Sequence, residues 1–85
     1  MKSGEIVDIW TNLGSGLAIV VLKNRRGKIT EVHTESRLFI RGLEDAFENV
    51  IDRDGRLNID AVKGKTIEYR LTEWGEMEEF DVAKD

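Results

Sequence analysis

The 85-residue chain contains no cysteine and a single histidine, His33. Without cysteine there is no disulfide, no thiolate nucleophile and no zinc–thiolate site. Small secreted domains usually depend on such staples, so a reducing, cytoplasmic setting is expected. Any Ser-His-Asp arrangement would have to be built on His33, which lies in a strand-like segment without the glycine-flanked serine of a nucleophile elbow. One histidine with carboxylates is also a poor transition-metal ligand set. We therefore expect no enzyme, no metal and no cofactor.

Long apolar runs are missing too. The longest, Leu17 to Leu22, is far short of the roughly 18 residues that span a bilayer. Lys2 near the N-terminus is followed by no signal-like apolar stretch, so neither secretion nor a membrane partner is expected. Basic residues are in the minority, 13 against 17 acidic, for a net charge of −4. The imbalance is uneven: residues 1–41 carry +3 and residues 42–85 carry −7. Net acidity disfavours non-specific nucleic-acid binding, which depends on counterion release by Lys and Arg.

What is present reads as one folding unit spanning 1–85, because a chain this short cannot build a second core. It should bury only about 60–65% of its unfolded surface, so a deep enclosed pocket is not expected. Glu5 to Trp10 reads as a first strand, followed by a turn through Asn12, Gly14 and Gly16. Leu17 to Leu22, rich in β-branched residues, suits a strand covered on both faces at the centre of a sheet. Lys23 to Lys28 turns the chain into a third strand, where Ile29, Glu31 and His33 alternate with Thr30, Val32 and Thr34.

From Ser36 the period becomes helical. Phe39, Leu43, Ala46, Phe47 and Val50, widened by Ile40 and Ile51, form an apolar stripe opposite Arg37, Arg41, Glu44, Asp45 and Glu48. Thr34 or Ser36 is the expected cap, Asp52-Arg53-Asp54-Gly55 the expected end, and Gly42 the place where the helix crosses the sheet closely. Residues 56–65 read as a short strand or an ordered loop. Thr66 to Thr72 alternates cleanly through Ile67, Tyr69 and Leu71, and after a turn at 73–76 a last strand runs Met77 to Val82 with Phe80 and Val82 inward.

The expected fold is α+β, about five antiparallel strands in a small barrel or curved sheet with one helix, in the order β-β-β-α-β-β. That order resembles the OB-fold, a five-stranded barrel with its helix between the third and fourth strands. The resemblance is one of element order and is carried by no residue motif. A helix on an open antiparallel sheet is the alternative.

Near-motifs fail at named positions. Asp52 to Asn58 is similar to the middle of a calcium loop, but Val50 and Ala61 stand where the strongest ligands belong, leaving a helix-terminating turn. Gly14-Ser15-Gly16 and Gly64-Lys65-Thr66 hint at phosphate loops, yet Ile59 replaces the earlier glycine of the second and a strand follows it.

Two surfaces remain. Lys23, Arg25, Arg26 and Lys28 cluster on one hairpin, with Trp10 and His33 as stacking groups, which is the case for single-stranded nucleic acid. The last hairpin is acidic, with Glu73, Glu76, Glu78, Glu79, Asp81 and Asp85. Its Trp74 either folds onto the core edge or, exposed, anchors a protein interface with Glu73, Glu76, Met77 and Glu79. A non-catalytic domain with a protein partner, or forming a homo-oligomer, is the leading expectation. An OB-like nucleic-acid module is the alternative.

Overall fold

The computed structural model describes residues 2–12 and 15–82. Gly14, in the first expected turn and phosphate-loop hint, and Asp85 of the acidic set lie outside the described residues. The chain is α+β: β1 (Lys2–Asn12), β2 (Leu17–Lys23), β3 (Ile29–Glu35), α1 (Ser36–Ala46), a 3₁₀ turn (Ile59–Ala61), β4 (Thr66–Leu71) and β5 (Met77–Val82). The strands form one sheet in the order β3-β2-β1-β4-β5, every neighbouring pair antiparallel. The element order is the expected one, in an open sheet with one helix and not a closed barrel. The two edges meet at one point, where His33 bridges Glu76 in parallel sense and the Thr34 hydroxyl donates to the Met77 carbonyl at 3.3 Å.

Strand β1 is at the centre, not β2 as the apolar run 17–22 implied. Its first residues pair with β4 (Lys2 opposite Tyr69, Glu5 opposite Thr66) and the remainder with β2 (Glu5 opposite Lys23, Asn12 opposite Leu17). Ile6 and Ile9 are three positions apart and would face opposite ways in a regular strand. A bulge at Val7 shifts the register, so both are buried and Asp8 and Trp10 stay outside. The β4–β5 ladder slips the same way, Arg70 opposite Glu79 but Leu71 opposite Met77, which turns both Met77 and Phe80 inward.

The helix begins at Ser36 as expected, but its cap and its end differ from expectation. Glu35 is the cap, its carboxylate accepting the Leu38 amide at 2.7 Å, while Ser36 is buried in the first turn. The helix stops at Ala46, Phe47 is extended, and Asn49 is left-handed at φ 61°. No basic residue sits in the last turn, and Glu44, Asp45 and Glu48 oppose the negative end of the helix dipole, so continuation is unfavourable. Val50 still reaches the core, from extended chain. Ile51 pairs with Leu57 in an isolated antiparallel bridge, and the unclear stretch beyond holds the 3₁₀ turn.

One five-residue loop is used three times, at 24–28, 52–56 and 72–76. In each, the first residue's amide donates to the fifth's carbonyl (3.0, 2.9 and 2.7 Å) and the glycine amide donates back to the first's carbonyl. The first side chain, Asn24, Asp52 or Thr72, accepts the amides of the third and fifth residues. Gly27, Gly55 and Gly75 take φ of 84°, 77° and 82°, the left-handed step of a bulged hairpin. Asp52 to Gly55 is thus a hairpin loop between Ile51 and Leu57, not the end of the helix.

The core joins Ile6, Ile9, Val20, Leu22, Val32, Ile67, Tyr69 and Met77 of the sheet to Phe39 and Leu43 of α1 and to Val50 and Val62. The rings of Phe39 and Phe80 lie 4.9 Å apart, tilted by 51°. A Cβ at Gly42 would fall 2.7 Å from two carbons of the Phe80 ring, so the expected close crossing is against this ring.

Two outcomes follow. Gly42→Ala should destabilise the fold by about 1–2 kcal/mol in urea denaturation, overpacking outweighing the ~1 kcal/mol gain in helix propensity. In a Phe80→Leu background the same change should become neutral or better, and a stabilised single variant would show that the ring simply yields. Burial pushes the phenol of Tyr69, the only tyrosine, above its usual 10.0. Above about pH 10 the unfolded chain loses this proton and the folded chain keeps it, so stability is intact below that pH and falls as pH rises through the folded value. Tyrosinate absorbance should therefore appear later than in free tyrosine, and titration at the ordinary value would refute this.

Candidate interaction face

The bulge that buries Ile6 and Ile9 also defines an outer face on β1, β2 and β3. Cross-strand rows run Glu5–Lys23–Ile29, Asp8–Val21–Glu31 and Trp10–Ile19–His33, with Leu17 beside Glu35 at the end. Leu17, Ile19 and Val21 make an apolar stripe along β2, flanked by exposed Trp10 and Ile29. Trp10 is 65% exposed, yet its indole nitrogen donates to Asp8 at 3.0 Å, and the other oxygen of that carboxylate accepts the Ile9 amide. This bond ties the exposed ring back to its own strand.

His33 carries the central row across to Glu76. At about 4.8 Å per strand, Trp10 lies roughly 15 Å from the base of the acidic hairpin. Trp74 at the tip of that hairpin is 82% exposed and does not take the core-edge seat. Glu73 and Glu76 are exposed beside it. Met77, by contrast, is only 6% exposed, because the slip at Glu78 turns it into the core. Glu79 pairs with Arg70 at 3.3 Å on exposed surface, a contact of small energetic weight.

On the basic hairpin, Lys23 approaches Glu5 at 4.0 Å. Arg25, Arg26 and Lys28 are exposed and form no ion pair among the described residues. Lys23 is four residues along β2 from Ile19, the neighbour of Trp10, about 13 Å at strand rise. The set Lys23, Arg25, Arg26, Lys28 and Trp10 is therefore not one cluster, and Asp8, Glu31 and Glu35 stand on the face itself.

Among the described residues, no three of His, Asp and Glu are grouped to hold a metal ion, and no helix is long and apolar enough to cross a membrane. Compared with known families, curated proteins and solved structures, the chain matches none. The face is read from its own geometry.

Sequence reasoning missed Leu17, Ile19, Val21 and Ile29 as surface. The signal was available: one amphipathic helix cannot cover both sides of a five-stranded sheet, so an apolar run such as 17–22 must leave alternate residues uncovered. Reading Trp10 with the basic hairpin and Trp74 with the acidic one also separated two residues whose strands the topology joins through His33.

Proposed function

We propose that this is a small non-catalytic interaction domain of OB-like design, cytoplasmic in setting, that binds a protein through the outer face of β1–β3 and the Trp74 hairpin. The observation that carries this reading is the apolar stripe Leu17–Ile19–Val21 with exposed Trp10 beside it, together with a second exposed tryptophan, Trp74, on the hairpin whose base meets His33. Exposed aromatics beside apolar surface are the usual anchors of protein interfaces, each worth about 2 kcal/mol or more when covered. The carboxylates Asp8, Glu31, Glu35, Glu73 and Glu76 supply a rim that favours basic partner groups. Strand order, the helix between β3 and β4, and the β3–β5 touch support the OB-like design.

The second reading is a single-stranded nucleic-acid module. The unpaired Arg25, Arg26 and Lys28 favour it. The carboxylates Asp8, Glu31 and Glu35 on the face weigh against it, since they would repel phosphate laid across it.

Titration of candidate basic proteins against wild type, Trp10→Ala and Trp74→Ala should show each variant binding about 10-fold or more weakly at unchanged thermal stability. Equal affinities would remove the face from consideration. A salt-sensitive shift of mixed oligonucleotides, insensitive to Trp74→Ala and lost in Arg25→Glu/Arg26→Glu, would establish the second reading instead.

A further inference from the structure

We infer that the partner on this face is a second copy of the chain, related by a twofold axis that seats the basic 24–28 hairpin of each copy on the acidic 72–76 hairpin of the other. This rests on reading the face as a protein-binding one. The two hairpins open β3 and β5, which run parallel where His33 meets Glu76, so both loops point the same way along the strands, staggered along β3. They are the same loop in backbone hydrogen bonding, one tipped by Arg25-Arg26 and the other by Glu73-Trp74.

Within one chain these charges do not satisfy each other. The basic loop ends at the level of Ile29 and the acidic one at the level of His33, four residues or about 13 Å along β3. That exceeds the ~8 Å screening length, and no ion pair joins the loops among the described residues. A face with a positive knob on one side and a negative knob on the other is complementary to itself. Rotation about an in-plane twofold axis lays each knob on its opposite and closes the assembly at two subunits.

The arrangement also gives Trp74 a partner, since a guanidinium from the facing Arg25-Arg26 tip can lie over the indole. Between the knobs, Ile29 is covered. Glu31, midway along β3, faces its own copy across the axis, an unfavourable pair outnumbered by the two hairpin seams.

Sedimentation equilibrium of the full chain, up to roughly millimolar concentration at low and high salt, tests this. The expected result is a dimer that weakens with salt. Arg25→Glu/Arg26→Glu should weaken it by about 10-fold or more, as should Glu73→Arg/Glu76→Arg. An equimolar mixture of the two variants should restore a dimer as the heterodimer, a rescue that misfolding cannot produce. A wild type that stays monomeric throughout, or a dimer indifferent to both reversals, overturns the proposal. Tryptophan emission with added oligolysine separates the two levels. A monomeric chain whose emission shifts only when Trp74 is present retains the protein-binding face and loses self-pairing. A monomeric chain with unchanged emission loses both.

Discussion

Strand β1 carries two ladders along one length of backbone, β4 on its first residues and β2 on the rest, and must bend at the handover near Glu5. Gly4 permits the bend: a Cβ there would stand 3.0 Å from Cβ of Leu22. Three residues after Gly4, the Val7 bulge resets which side chains face inward. Without it, burying Ile6 would put Asp8 inside and Ile9 outside, and an unpaired buried carboxylate costs several kcal/mol. The bend also coils the sheet until the edges of β3 and β5 touch at His33 and Glu76. Where those edges part again, α1 fills the gap with Phe39 and Leu43, and Gly42 lets it settle on Phe80.

How far the sequence could be read follows from where its side-chain period stays regular. Strand β4 was legible because Ile67, Tyr69 and Leu71 alternate without interruption and the ladder with β1 is in register. Strands β1 and β5 were legible as strands, and Phe80 turns inward as expected, but the burial of Ile9 with Ile6 and of Met77 was not legible, since a bulge adds a residue to the period and leaves no mark in residue type at Val7 or Glu78. The helix was placed correctly at its start and carried too far at its end. Val50 and Ile51 fall on the apolar stripe, but one is buried and the other half-buried from extended chain. A period of three to four fits a few core contacts made from a loop as readily as those made from a helix.

The outer face of β1–β3 was harder to read because it depends on what is absent from one side of the sheet. Each of Leu17, Ile19 and Val21 is locally indistinguishable from Ala18, Val20 and Leu22, and only the supply of covering elements decides which set is buried. One helix is too little for two faces. The same reasoning places Trp10: its parity is fixed by the Val7 bulge, and its orientation by Asp8, the residue that the bulge keeps out of the core.

Repeated use of one loop explains how so short a chain holds opposite charges without cost to its fold. Backbone geometry at 24–28, 52–56 and 72–76 is set by an Asn, Asp or Thr at the first position and glycine at the fourth. The second and third positions contribute nothing to that hydrogen bonding through their side chains, and all are exposed. Arg25-Arg26, Arg53-Asp54 and Glu73-Trp74 are therefore interchangeable as far as the turn is concerned. Charge and aromatic character at the tips and stability in the turns are carried by different atoms, so a tip can change sign or gain an indole while the sheet beneath it stays the same.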